Sequence, residues 1–424
     1  MIKHINYYLL IILGLVVSTI QAQVNSPISA LGVGEPYTNV GFANTATGGS
    51  AVNSWQNAAN IENPASYATM RYTTFEAGLV SDIHSYTNKA GENYKYSKTG
   101  FKHFMLAMPT PKGLGAMIAY MPYSRANYAS ISNGVDASGD SVEYTNAGKG
   151  GINRGTIGLS YKFVDDNTFK LSSGFNINAL FGEVLNQQRN QYNIASTKFS
   201  ALYRNSAYYT GVNGTLGMQV QYLPKPLHTL YMGTSFTLET NAKTATNTEL
   251  VSYGNKGTTI VYRDTVAIIN NVITRSTLPS TFNIGVGYGI KHASELDADK
   301  YYASINYSGT AWKTSSFGTT AVPFYNSKTI STAFLYNPQN GRKLKNNLRY
   351  GVKLAAQQWY YSKSFNDYSA TVSIGMPVPR SVSSINVAYT IGNRALLNTT
   401  KDMYHTITVG VLLNDIWFQH TRVD

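Results

Sequence analysis

The sequence predicts an all-β chain: a transmembrane antiparallel β-barrel of about 14 strands whose lumen holds an N-terminal plug, or hatch. Three observations carry this expectation. Apolar and polar residues alternate with period two along most of the chain after residue 72, as in Phe282, Ile284, Val286, Tyr288 and Ile290 against Asn283, Gly285, Gly287, Gly289 and Lys291. The alternating runs last about 9–14 residues, which suits strands crossing a bilayer at a tilt better than the ~5–6 residues of soluble sheets. The connections between runs are alternately short and long, the asymmetry of periplasmic turns and outer loops.

Taken in order, residues 1–22 read as a secretory signal peptide. Lys3 and His4 give a basic start, Leu9 to Val17 an apolar run, and Ile20-Gln21-Ala22 a small-residue cleavage site. Residues 23–71 lack a sustained period and are rich in Asn, Ala, Gly and Ser. A tail of this composition can be disordered, but neutral polar side chains also suit a compact plug bonded to a polar lumen wall. The barrel is expected over 72–424, with strands near 72–84, 98–109, 113–124, 151–163, 168–182, 207–222, 228–240, 281–291, 300–312, 328–336, 346–357, 368–376, 382–392 and 404–413. Of these, 328–336 has the weakest pattern. Stretches 125–150, 183–206 and 241–280 are read as long outer loops, and Tyr208-Tyr209, Tyr301-Tyr302 and Tyr360-Tyr361 as interfacial girdle residues. This parity puts both termini on the periplasmic side.

Composition excludes several activities. The 424 residues contain no cysteine, which removes thiol catalysis, thiolate zinc sites and disulfides. Only 13% are charged, about half the usual ~25%, so uncharged polar residues replace the ordinary charged surface. The formal charge of +13 is spread along the chain, without the aromatic-interleaved platform of a nucleic-acid site. No two of the seven histidines have the i, i+4 spacing of a helical zinc motif. Asp82 and His84 share a strand face, but no nucleophile motif accompanies them. Glu295, Asp297 and Asp299 read as a solvated turn. No enzyme, metal or cofactor is expected.

Several motifs carry a resemblance. Gly48-Gly49-Ser50-Ala51-Val52, Asn57-Ala58-Ala59-Asn60 and Asn63-Pro64-Ala65-Ser66, followed by Phe75-Glu76-Ala77-Gly78-Leu79, resemble the hatch and first strand of the outer-membrane long-chain fatty-acid transporters (FadL type). Ala107-Met108-Pro109 through Gly113-Leu114-Gly115-Ala116 resembles that family's second hairpin, and Leu278-Pro279-Ser280-Thr281 its Leu-Pro strand start. The resemblance implies a plugged barrel of fourteen strands that takes up hydrophobic molecules from outside and releases them sideways through a gap at a kinked third strand. Pro122 is the candidate for that kink, because proline donates no ladder hydrogen bond; its place beside an outer loop favours a simple strand end. The family usually stops at a terminal aromatic, whereas here Trp417-Phe418 precedes six further residues.

The functional expectation is passive uptake, in the outer membrane of a Gram-negative cell, of a hydrophobic or amphipathic small molecule such as a long-chain fatty acid. The alternative is a barrel that transports nothing and serves as an accessory or scaffold subunit of an outer-membrane secretion or assembly complex. Tyr123, Arg125, Tyr128, Leu180 and Phe181 are the candidate ligand contacts, with Arg125 placed to pair with a carboxylate head group. Asn63, Pro64 and Ala65 are the hatch motif, expected near the periplasmic start of the first strand. Membrane lipids and lipopolysaccharide are the expected surroundings, and nucleic acid is not an expected partner.

Overall fold

The computed structural model describes residues 27–37, 41–47, 49, 51–52, 58–87, 91–110, 112–192, 198–256, 259–292, 299–317, 324–338, 347–378, 381–396 and 400–415. Residues 1–22, expected as a signal peptide, and the pair Trp417-Phe418 lie outside them. Fourteen antiparallel strands close into a barrel. They are β1 (Thr73–Thr87), β2 (Asn93–Pro109), β3 (Leu114–Pro122 and Ser124–Val135), β4 (Ser141–Asp165), β5 (Phe169–Tyr192), β6 (Ser200–Lys225), β7 (His228–Thr237 and Thr240–Lys256), β8 (Thr259–Leu278 and Thr281–Lys291), β9 (Asp299–Thr310), β10 (Ser327–Tyr336), β11 (Arg349–Gln358), β12 (Asp367–Pro377), β13 (Ser384–Leu396) and β14 (Thr400–Asp415). Each pairs with the next, and β14 returns to β1 from Lys401↔Thr87 to Asp415↔Thr73, so the ring closes.

The alternation that predicts the strands also sets their faces. Ile157, Ile177, Leu354 and Val372 are 54–63% exposed on the outer surface, where lipid covers them, while Asn176, Asn283 and Asn386 are buried toward the lumen. Tyrosine pairs divide accordingly. Tyr301 faces outward and stacks on Tyr336 at 5.2 Å, but its neighbour Tyr302 is buried in the lumen. Tyr360 and Tyr361 belong to no girdle; they sit in a buried aromatic cluster over the lumen.

Strands differ greatly in length. β10 and β11 have 10 residues each, about one bilayer crossing, whereas β5 has 24 and β6 has 26. The stretches 125–150, 183–206 and 241–280 expected as loops are largely strand. Their ladders continue through β3–β8 as a six-stranded wall rising beyond the outer rim. The period-two signal fades there because both faces of the wall meet a polar medium and no longer need unlike side chains.

A transverse line separates wall from barrel. β3 breaks at Tyr123, β7 at Leu238-Glu239 and β8 at Pro279-Ser280. At the same level β4 carries Gly150 and Gly151 at φ 110° and 140°, and a Cβ on Gly151 would lie 2.3 Å from the Ser124 carbonyl oxygen. Every wall strand from β3 to β8 contributes an inward residue close to this line: Ala126, Ile152, Leu180, Tyr209, Ala242 and Leu278, all buried in one cluster.

The described residues between Pro27 and Met70 occupy the lumen. The segment starts near the outer end, where Glu35–Pro36 pairs with Arg125 and Ser124 of β3. It passes through a short helix, α1 (Phe42–Thr47), and ends in a 3-10 turn at Pro64–Thr69 before β1.

Candidate functional site

The site is the lumen around this segment. Its anchoring begins with a β-bulge: opposite Gly78 and Leu79, β2 presents His103 and Phe101, so the intervening Lys102 is extra and both Lys102 and His103 point inward. Lys102 Nζ donates to Thr45 Oγ1 of α1 at 2.7 Å. Glu76 Oε1 accepts the Phe42 N–H at 2.5 Å and lies 2.8 Å from His103 Nε2. An anion therefore meets the first amide of α1, and a cation meets its last turn, in accord with the dipole of the helical turn.

The hatch motif is capped from within. Asn63 Oδ1 accepts the Ala65 N–H at 3.2 Å, Pro64 takes the first position of the turn, and Asn63 Nδ2 donates to the carbonyls of Ala51 and, on β6, Met218. Pro64 lies so close to Gly174 of β5 and Gly217 of β6 that a Cβ on either would come within 2.7 Å of it. The motif thus packs on the walls of β5 and β6.

An ionic chain crosses the outer half of the lumen. Arg394 of β13, only 2% exposed, donates to Glu35 Oε1 of the plug and to Asp402 Oδ2 of β14, both at 2.7 Å. Asp402 also meets His84 Nδ1 of β1 at 3.0 Å. The guanidinium lies over the Trp359 ring at 4.9 Å, and Trp359 Nε1 and Tyr404 Oη donate to the two oxygens of Asp367, each at 2.8 Å. Asp82, on the same face as His84, accepts from Thr406 instead. Each is held by β14.

Beside this chain is a cavity of about 230 Å³. Lys98, Lys102, Arg125 and Lys353 line it, and among the described residues none of the four has a carboxylate at ion-pair distance. Above it, Trp312, Phe317, Phe324, Trp359, Tyr360 and Tyr361 form a lid against the bend line, with Val33 of the plug inserted. The Trp312 and Tyr360 rings stack at 4.8 Å.

The wall is open sideways at one place. β2 and β3 pair only from Pro109↔Gly115 to Phe104↔Tyr120. Beyond that, β3 leaves β2, breaks at Tyr123 and resumes at Ser124, where its free side pairs with the plug. Pro122 therefore does not close the strand, as its position suggested; it precedes an interruption within it. Outside the seam, Phe101, Tyr120 and Phe181 form a row of rings 6.2 and 6.3 Å apart.

The other candidate contacts are now placed. Tyr123 sits at the break, its carbonyl accepting the Tyr37 N–H, and it packs on the aromatic cluster. Arg125 lines the main cavity. Tyr128 is buried and donates to Asn186 across Gly148. Leu180 faces the lumen, but Phe181 is 44% exposed on the lipid side and touches no internal cavity, because adjacent strand residues point oppositely. Asp299 is buried and accepts the Tyr231 hydroxyl at 2.7 Å, not solvated as its acidic neighbours implied; Glu295 and Asp297 lie outside the described residues. Sequence reading missed Glu35, Glu76, Lys102, His103, Arg394 and Asp402. A signal existed only for Lys102-His103, two adjacent polar residues that break an alternating run.

A plugged barrel of fourteen strands has the fold of FadL-type barrels. Solved structures share it: a Pseudomonas aeruginosa FadL homologue (TM-score 0.57, 11% identity, covering 90% of this chain and 99% of that one) and the CymD monoaromatic hydrocarbon channel (0.55, 12%, 91% and 99%). The Ralstonia pickettii toluene transporter TbuX is similar at TM-score 0.53 and 11% identity, covering 93% of this chain and 100% of its own. The chain belongs to the BamG family, whose model matches residues 1–424. Among curated proteins, no sequence matches it.

Proposed function

We propose that the protein passively conducts a hydrophobic or amphipathic small molecule from the outer surface to the membrane, with the β2–β3 seam as lateral exit. The observation that carries this reading is the loss of β2–β3 pairing above Phe104↔Tyr120, where β2 stays joined to β1 and β3 to β4. Solved proteins of the same fold described as toluene and monoaromatic hydrocarbon channels support it. The cations of the cavity favour a cargo with an anionic head, such as a long-chain fatty acid, over a plain hydrocarbon.

The test uses Gly100, which faces inward beside the seam opposite Val80 and where a Cβ would meet nothing within 4 Å. Gly100→Trp should cut uptake of labelled oleate by whole cells while folded barrel remains at wild-type level. Arg125→Glu should slow oleate and leave toluene entry unchanged. Normal oleate uptake by Gly100→Trp rules out the seam as exit.

A second reading, an accessory subunit of an outer-membrane assembly or secretion complex, is favoured by the wall itself. A conduit needs only one bilayer crossing per strand, yet β3–β8 continue well beyond it. Stoichiometric co-purification with other outer-membrane proteins would support this reading.

A further inference from the structure

Lys353 of β11 is only 4% exposed, and among the described residues its ammonium group has no hydrogen-bond or ion-pair partner. It lines the cavity that also holds Lys98, Lys102 and Arg125. The carboxylates of that cavity stand far from it. Asp367 is paired with Gln357, four residues further along β11, ~13 Å away at ~3.3 Å per residue. Asp82 ends a row of directly paired residues that runs from Lys353 through Thr371, Thr390 and Thr406, four strands on and ~19 Å along the wall. Each is held by other groups: Asp367 by Trp359 and Tyr404, Asp82 by Thr406, and Glu35 by Arg394. A buried ammonium group without a counter-charge is costly to fold around, so its presence beside a cavity points to an anion from outside the chain. Lys102 of β2, also 4% exposed, acts on Lys353 electrostatically across this space, and its own printed partners are the neutral hydroxyls of Thr45 and Thr408.

We infer that the cavity is a binding site for a phosphate group, with Lys353 and Lys102 as its cationic contacts. Two like charges facing one another are met best by one compact dianion. A phosphate monoester carries about −1.5 to −2 charge at pH 7 on three acceptor oxygens, whereas a carboxylate brings a single charge on two. The remaining lining suits such a group: Ser308, Thr329, Ser331, Thr390, Thr406 and Thr408 present hydroxyls, and aliphatic side chains are confined to Pro36, Val80 and Ala355. The volume of about 230 Å³ is below the ~300–1,000 Å³ of pockets that enclose a drug-sized ligand, so the phosphate enters and any acyl chain stays outside. Lys98 and Arg125 stand on opposite sides of the β2–β3 seam, beyond its last pair Phe104↔Tyr120, and give the approach a positive field. The phosphate is either free or the head group of a lipid. The inference goes beyond uptake, since the site needs no transport step to be filled.

The test uses the full-length barrel in dodecyl maltoside, with inorganic phosphate, oleoyl lysophosphatidic acid, oleate and chloride as probes. Titration calorimetry gives the affinity, and heat-modifiable mobility gives the melting temperature. Phosphate, free or on the lysolipid, should bind at one site per barrel roughly tenfold or more tightly than oleate or chloride, and should raise the melting temperature. Lys353→Met should lose that binding and its thermal response, while the unliganded variant melts no lower than wild type because a buried unpaired charge is gone. Lys353→Arg should keep both. Binding of inorganic phosphate identifies a free ion, and binding of the lysolipid alone identifies a lipid head group. The inference is overturned if neither binds, if oleate binds as tightly, or if Lys353→Met leaves binding unchanged. It is also overturned if unliganded Lys353→Met melts below wild type or fails to fold, which would give the lysine a structural role. Equilibrium binding decides the matter whether or not Gly100→Trp blocks oleate uptake, so the two readings fail separately.

Discussion

Arg394 is a buried cation whose two carboxylate partners come from different parts of the chain, Glu35 from the plug and Asp402 from the neighbouring strand. Removing one member of such a set leaves the others buried and uncompensated, at a cost of about 3–5 kcal/mol. Arg394→Ala should therefore loosen the plug before the barrel. The expected result is faster protease cleavage within residues 27–70 and altered fluorescence of Trp359, which lies under the guanidinium, with unchanged barrel mobility on gels. Lysine should rescue poorly, since a point charge cannot span both carboxylates in a fork. At the tip of the β3–β4 hairpin, the hydrogen bond from Lys198 and then the Asp140 amide hold the Asp136 carboxyl down at about 2. The bonds from Lys198 to the Asp136 and Asp140 carboxylates in turn raise the Lys198 pKa. A carboxyl lowered by folding stabilises the contact in full above its unfolded value of 3.8 and loses that contribution as pH falls toward 2. Lys198 works in the opposite sense, contributing below its ordinary 10.5 and losing it only at higher pH. Hydrogen exchange at Ser138 and Asp140 should thus be flat, beyond its intrinsic pH dependence, from pH 5 to 9, accelerate below about pH 4, and be uniformly fast in Lys198→Ala.

At the scale of elements, the bend line governs how wall and barrel meet. Gly151 has φ 140°, and a Cβ there would collide with the Ser124 carbonyl just beyond the β3 break. Gly151→Ala should cost about 1–3 kcal/mol and push the outer half of β3, and with it the seam, out of place. Double electron–electron resonance between spin labels on β2 and outer β3 checks this: a wild-type distance distribution in the variant would show that the line tolerates a side chain. The barrel strands were legible in the sequence because lipid and lumen impose opposite demands on alternate residues, even at β10, whose pattern was weakest. The outer wall was not, since segments such as Asn186-Gln187-Gln188-Arg189-Asn190 read as loop when both faces are wet. Pro122 was visible, but whether a strand resumes after it depends on β4 supplying Ile152 as acceptor for the Tyr123 amide. The lumen network was invisible for a different reason. Glu35 and Arg394 are 359 residues apart, and no local spacing records such a pair.

For the whole molecule, the question is whether the barrel is a pore. A closed sheet of this size leaves space that side chains of the strands alone do not fill. Here that space is taken by the inward-lying chain, with Phe42, Ala43, Ala46, Val52, Ile61 and Tyr67 all at most 2% exposed against the wall. The aromatic lid closes the outer end, and the 3-10 turn packs on β5 and β6 toward the periplasmic end. What remains among the described residues is the cationic cavity, lined by Lys98, Lys102, Arg125 and Lys353 rather than by a greasy bore. A protein arranged this way should pass amphiphiles through local rearrangement at the seam and be silent to ions. In planar bilayers the full-length chain should give no steady conductance, and a chain lacking residues 27–70 but retaining β1–β14 should open channels whose current prefers anions, because Lys98, Lys102, Arg125 and Lys353 then face water. Arg394→Ala should lie between them, flickering as the plug detaches and reseats. Steady ion current through the full-length protein would mean that the plug leaves a continuous aqueous path, and uptake would then have to be argued for polar solutes instead.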